Sequence, residues 1–160
     1  MNKKPLIFAV ALFALGFVQA QPFHLEEATI DSVHNAYRSG RLTSHQLVQL
    51  YLNRIEAYDK KGPAINAIIT VNPKALEEAD RLDAAFKASG FVGPLHGIPV
   101  ILKDQFDAKG MPTTLGSILF KDYYPDRDSF VAEKLMVGPK STDLSGRWRE
   151  RSPISPGFWR

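Results

Sequence analysis

Gly93-Pro94-Leu95-His96-Gly97-Ile98-Pro99-Val100-Ile101-Leu102-Lys103-Asp104 is the stretch on which the fold of this chain turns. Pro99 to Leu102 is short, apolar and bounded by Gly and Pro, the pattern of a buried strand. Lys103 continues it. A lysine there either marks the strand's exit to solvent, pairing with Asp104, or is held inside with partners, because an unpaired buried ammonium is costly. A partly buried lysine releases its proton more readily, which makes it a candidate general base. The local pattern leaves both places for Lys103 open.

The stretch runs on through Gln105-Phe106-Asp107 and, after a short gap, Thr113-Thr114-Leu115-Gly116-Ser117. Gly-Pro-Leu-His-Gly-Ile-Pro-Val-x-x-Lys-Asp followed by Pro-Thr-Thr-x-Gly-Ser resembles the amidase signature family. The string is specific because many residue types recur in one order. The resemblance implies an α/β fold, the N-terminal part of a mixed β-sheet covered by helices. It implies hydrolysis or transfer of a carboxamide through a serine acyl-enzyme. It makes Lys103 the general base of a Ser–Ser–Lys triad, with Asp104 beside it in the motif. Gln105 departs from the Asn that many relatives carry.

Outward from this stretch, composition sets limits. The chain has 160 residues, no cysteine and a formal charge of +3, with 44% hydrophobic and 23% charged residues. That suits one modest globular domain and argues against disorder throughout. Without cysteine there are no disulfides, thiol nucleophiles or cysteine metal sites. His24, His34, His45 and His96 show no metal-ligand spacing, so no metal and no cofactor is expected.

Residues 1–20 read as a signal peptide. Lys3 and Lys4 open it, Pro5 to Val18 is almost unbroken apolar sequence, and Val18-Gln19-Ala20 offers small residues for cleavage after Ala20. The apolar run is shorter than the ~20 residues that span a bilayer comfortably, so no stable anchor is expected after cleavage. Export to a periplasm or the exterior follows as an expectation. Loss of Lys3 and Lys4 leaves a nearly neutral protein, so a polyanionic partner is not implied.

Residues 21–135 read as a partial amidase-signature domain. Thr29 to Ser39 is a predicted helix with Ile30, Val33 and Tyr37 inward and Gly40 as its stop. Thr43 and Gln46 form a capping box for a second helix, faced by Leu47, Leu50, Tyr51, Ile55 and Tyr58. His34 and His45 are read as solvated surface residues. Ile65 to Val71 is rich in β-branched residues and reads as a strand. Asn72-Pro73 is a cap for a third helix to about Ser89, with Leu76, Ala79, Leu82 and Phe86 inward and Gly90 ending it. Phe106 to Pro112 is a loop, Thr113 to Ser117 locally a polar turn, Lys121 to Asp128 a surface loop, and Ser129 to Leu135 a helix start. Leu47-Val48-Gln49-Leu50-Tyr51-Leu52-Asn53-Arg54-Ile55 and Asn66-Ala67-Ile68-Ile69-Thr70-Val71-Asn72-Pro73 are similar to the family's N-terminal region as well. The resemblance covers roughly residues 30–135.

Residues 136–160 change character. They hold both tryptophans, three prolines, no alanine, and five basic against two acidic residues. They read as an irregular basic tail, either an out-of-frame stretch or a genuine short form. The family's two serines lie in Gly/Ser-rich segments well downstream of the lysine, and the 160 residues contain no Gly-Ser-Ser-Gly cluster. Lys103 is therefore expected to lack the nucleophile it would activate, and the chain to be inactive by itself. Ser117 is the nearest motif serine and a weak substitute; Ser129, Ser141 and Ser145 are weaker.

Three readings follow. The first is a truncated exported amidase that acts, in its full-length form, on a small amide. The second is a non-catalytic exported binding module on the same fold. The third is a chain resembling the A-type component of the amidotransferase that corrects misacylated tRNA, against which the signal peptide argues. The basic tail lacks aromatic–basic interleaving on a regular element, so no nucleic-acid partner is expected. An incomplete sheet should leave apolar surface open to aggregation or self-association.

Overall fold

The computed structural model describes residues 23–137 and the backbone of Phe158 and Trp159. The expected signal peptide at 1–20 and most of the tail at 136–160 lie outside the described residues. Helix α1 is Ile30–Arg38. Its N-cap, Thr29, accepts the Ser32 N–H, and its C-cap is Ser39. Helix α2 is Ser44–Arg54, and its capping box forms as the Thr43/Gln46 spacing predicts. A π-helical turn, Ile55–Lys60, continues it. Helix α3 is Ala75–Ser89. Strand β1 is Val100–Ile101, a 3-10 turn covers Ile118–Phe120, and helix α4 is Phe130–Val137. The backbone of β2, Phe158–Trp159, lies parallel to β1, with Val100 opposite Phe158 and Ile101 opposite Trp159.

Three apolar clusters hold these pieces together. Val33, Ala36, Tyr37, Leu42 and Leu47 form the first, against which Phe86, Phe91 and Ile98 pack. Val48 with Ala75 and Ala79 joins α2 to α3. Leu102, Ala108, Met111 and Ala132 form the third, under the end of β1. The apolar stripes differ in detail from the predicted ones. Ile30, Leu50 and Tyr58 are exposed, and Val48 takes the inward place on α2.

Ile65 to Val71 is not a strand; among its residues only Val71 makes an isolated bridge. The reason lies in where its N–H groups go. Ile65 N donates to Tyr58 O and Asn66 N to Asp59 O, while Ala67 N and Ile68 N donate to the Asp59 carboxylate. The end of the preceding helix takes the donors that a ladder would need from this first part of the run. Ala64 and Asn66 also sit at φ +52° and +54°, which breaks an extended run. The Lys60 ammonium, 2.9 Å from the carboxylate, and the two backbone donors hold Asp59 below the usual carboxylate range. The start of α3 shifts too. Asn72 accepts the Lys74 N–H in a local turn, so the helix begins at Ala75 rather than Pro73.

Candidate functional site

The strand that carries the lysine is shorter and less buried than its composition suggests. Pro99 has no N–H to give, which limits pairing at its start. The Lys103 carbonyl accepts the Phe106 N–H in a turn that ends the strand. Ile101 is 67% exposed. Side chains then alternate: Leu102 is buried in the third cluster, Lys103 is exposed, and Asp104 is buried. This corrects the expectation of a buried strand, and of the two places left open for Lys103 it takes the exposed one, without the pairing to Asp104. Its place follows from period-two geometry, since Leu102 commits the neighbouring positions. Among the described residues the Lys103 ammonium has no ion pair and no hydrogen bond.

Asp104 does not pair with Lys103. Its carboxylate accepts the Thr114 N–H at 3.1 Å, the Thr114 hydroxyl at 2.5 Å and the Gly116 N–H at 3.3 Å. It thereby ties the turn carrying Ser117 back to the end of β1. Within that turn Ser117 N donates to Thr114 O. Leu115 and Gly116 sit at φ +52° and +67°. Ser117 is half-buried, and its Oγ accepts the Leu119 N–H, capping the 3-10 turn. That bond uses one acceptor lone pair and leaves the O–H proton available, and no hydrogen bond joins the hydroxyl to Lys103 among the described residues. The structure brings the Ser117 turn and Lys103 onto the two sides of one aspartate without making them a dyad.

The His96-Gly97 pair has a second, separate task. His34 Nε2 donates to the His96 carbonyl at 3.0 Å, and the Tyr37 hydroxyl donates to the Gly97 carbonyl at 2.9 Å. Both bonds fasten the motif loop to α1. His34 is buried and stacked on Phe91, with ring centroids 4.4 Å apart, so the surface placement expected of it is wrong. Its signal was present: position 34 lies between Val33 and Tyr37 on the inward side of α1. His45 is more open and pairs with Asp80 at 2.7 Å.

His96 is 4% exposed. Burial holds its imidazole below the usual histidine range; His34 acts in the same direction and Asp83 opposes both. A lowered folded-state value contributes stability above the ordinary histidine range near ~6.5 and loses it as pH falls toward the folded value. The unfolding midpoint in denaturant is therefore expected to be lower at pH 5.5 than at pH 7.5. A His96→Gln variant should flatten that difference, and an unchanged slope would contradict it. Burial raises Glu78 above its usual range, which has the opposite sign and acts from the ordinary glutamate range upward. The comparison with the variant separates the two.

Among the described residues no group of His, Asp and Glu could hold a metal ion, and no helix is long and apolar enough to cross a membrane. The family described as Amidase matches residues 46–137. The chain belongs to the amidase family. It is 41% identical over 119 residues to a Schizosaccharomyces pombe protein of the amidase class, covering 73% of this chain and 20% of that protein. It is 40% identical over 115 residues to the A-type component of the Geobacter metallireducens glutamyl-tRNA(Gln) amidotransferase, covering 69% and 22% respectively. Among solved structures, the native peptide amidase of Stenotrophomonas maltophilia superposes with a TM-score of 0.68 at 38% identity. That match covers 71% of this chain and 23% of the enzyme. The fold is thus a portion of the amidase-signature α/β fold. The chain spans about a fifth of the length of the relatives it matches.

Proposed function

We propose that this chain carries the lysine-bearing part of an amide-hydrolysing site, in which Lys103 is the general base of a Ser–Ser–Lys mechanism acting on a small carboxamide. The observation that carries the reading is the joint placement of an exposed Lys103 and an Asp104-anchored turn inside the matched segment. An exposed lysine at a strand end is where a base can meet a nucleophile supplied by other residues. Both triad serines must come from outside these 160 residues, which hold no Gly-Ser-Ser-Gly cluster. The chain by itself is accordingly inert. Ile118, Leu119 and Phe130 are 76%, 85% and 72% exposed, which favours self-association when nothing covers them. The apolar segment before Gln21 supports export to a periplasm or the exterior.

A second reading is favoured by the 40% identity to the amidotransferase component, nearly equal to that of the amidase-class relative. The segment before Gln21 weighs toward the exported amidase. One preparation tests both. The chain is produced in an exporting bacterium with a C-terminal tag, its N-terminus determined, and its turnover of simple carboxamides measured beside a Lys103→Ala version. The expected result is a mature protein starting at Gln21, with no turnover in either form. An intact Met1 in the cytoplasm would remove the export reading. Turnover abolished by Lys103→Ala would overturn the inertness and keep the base.

A further inference from the structure

The loop from Phe91 to Ile98 is seated against α1 by way of an imidazole that must be neutral. The Val92 N–H donates to His96 Nδ1 at 3.4 Å. With Nδ1 as acceptor the ring carries its proton on Nε2, and that atom is buried without a hydrogen-bond partner among the described residues. Phe91, Phe86 and Tyr37 enclose the ring, with centroids 5.4, 5.8 and 6.5 Å away. A second proton would sit on Nδ1, facing the Val92 N–H donor to donor. The cation would then lie among aromatic rings with no acceptor for either of its N–H groups. A buried, unpartnered cation is costly, so the ring gives up its place when it takes the proton.

The groups around His96 do not compensate. On α1, His34 Nε2 donates to the His96 carbonyl, and a proton on its other nitrogen would keep that bond while adding a like charge nearby. Burial holds the Tyr37 hydroxyl well above the usual phenol range, so it stays a donor to the Gly97 carbonyl. The Arg38 guanidinium, 4.8 Å over the Phe91 ring, adds a cation on that side. On α3, the Asp83 carboxylate favours a charged imidazole, but its two oxygens accept the Ser44 and His45 N–H groups at the start of α2. Lys87, exposed on the same helix and bordering the same cleft as His96, offsets Asp83. On α2, His45 is held by Asp80, and the Ser44 hydroxyl makes no bond to the ring.

We propose that His96 is an acid-released latch, whose protonation lifts the Phe91–Ile98 loop off α1 while α2 and α3 stay packed. The loop keeps its own turns, His96 N–H to Gly93 O and Ile98 N–H to Leu95 O, so it moves as a unit. What is lost is the His34 bond to the His96 carbonyl, the Tyr37 bond to the Gly97 carbonyl and the stacking of Phe91 on His34. The cluster of Val48, Ala75 and Ala79 that joins α2 to α3 takes no residue from the loop. Opening is suppressed above the ordinary histidine range near ~6.5 and grows up to about tenfold per pH unit as pH falls below it. The loop leads into β1, so acid frees the lysine-bearing strand from its fastening on α1. The latch does not depend on Lys103 being a base.

The test is an NMR titration of the 160-residue chain from pH 7.5 to pH 5. It follows the His96 and His34 imidazoles, the Phe91–His34 ring contact and the signals of Val48, Ala75 and Ala79, with exposed His24 as the control. The ring contact is expected to disappear in step with His96 protonation, while the α2–α3 signals stay in place. Tyr37→Phe removes one fastening without touching an imidazole, and should move the opening toward neutral pH while keeping its one-proton slope. His96→Gln should make the ring contact independent of pH, and Lys103→Ala should change nothing. Where His96→Gln is too unstable to read, the wild-type and Tyr37→Phe titrations decide. A ring contact that survives His96 protonation, loss of the α2–α3 signals at the same midpoint, or the same acid opening in His96→Gln would each overturn the proposal.

Discussion

Gly97→Ala is expected to cost about 3 kcal/mol of stability, read as a fall in the denaturant midpoint at unchanged slope. Gly97 sits at φ +68°, where an L side chain is strained by about 1–2 kcal/mol. An added Cβ would also lie 2.5 Å from Ser44 Oγ, 2.9 Å from Tyr37 Cε2 and 3.0 Å from the Tyr37 hydroxyl. Something must move, and each way of moving disturbs the Tyr37 bond to the Gly97 carbonyl that holds the motif loop on α1. Gly110→Ala is the internal comparison. It shares a positive φ, +83°, but nothing lies within 4 Å of its added Cβ. It should show only the backbone strain of about 1–2 kcal/mol. Equal losses in the two variants would mean that close packing at the His96-Gly97 pair is not what fixes the loop.

Asp104→Ala is the other large effect. The carboxylate is buried, and its removal takes the acceptor from the Thr114 N–H and hydroxyl and leaves the Gly116 N–H only its 3.2 Å bond to the Thr114 hydroxyl oxygen. Bonds to charged acceptors contribute about 1.5–3 kcal/mol each, and they are not additive within one network. A loss of about 3 kcal/mol is expected. The sharper readout is local. Amide exchange at Thr114 and Gly116 should accelerate well beyond that in α1, because the turn is released before the helices open. Unaltered protection of those two amides would show that the turn holds itself and that Asp104 does not anchor it.

Much of this arrangement was legible in the residues. The Thr43/Gln46 box, the Gly40 and Gly90 stops, and the helix after Ser129 formed where local chemistry placed them, because caps and stops depend on a few neighbours. The misreadings share one cause, which is that tertiary partners claimed groups that local pattern assigns elsewhere. The N–H groups of Ile65 to Ile68 went to the preceding helix end instead of a sheet. His34, which looked like a surface residue, bonds a carbonyl 62 positions away. Asp104, adjacent to the lysine, serves a turn ten to twelve residues on. The alternation of Leu102, Lys103 and Asp104 was readable as period-two sequence. The run of apolar residues before it hid that, by suggesting burial on both faces.

These placements leave Lys103, the proposed base, in the open with no hydroxyl bonded to it among the described residues. Ser117, the nearest motif serine, accepts the Leu119 N–H and makes no bond to Lys103. The most direct measurement is intact-mass analysis of the purified 160-residue chain after incubation with a fluorophosphonate that phosphonylates activated serines. The unmodified mass is predicted, with Lys103→Ala equally free of adduct. A stoichiometric adduct mapped to Ser117 or any other serine, lost in Lys103→Ala, would contradict the account.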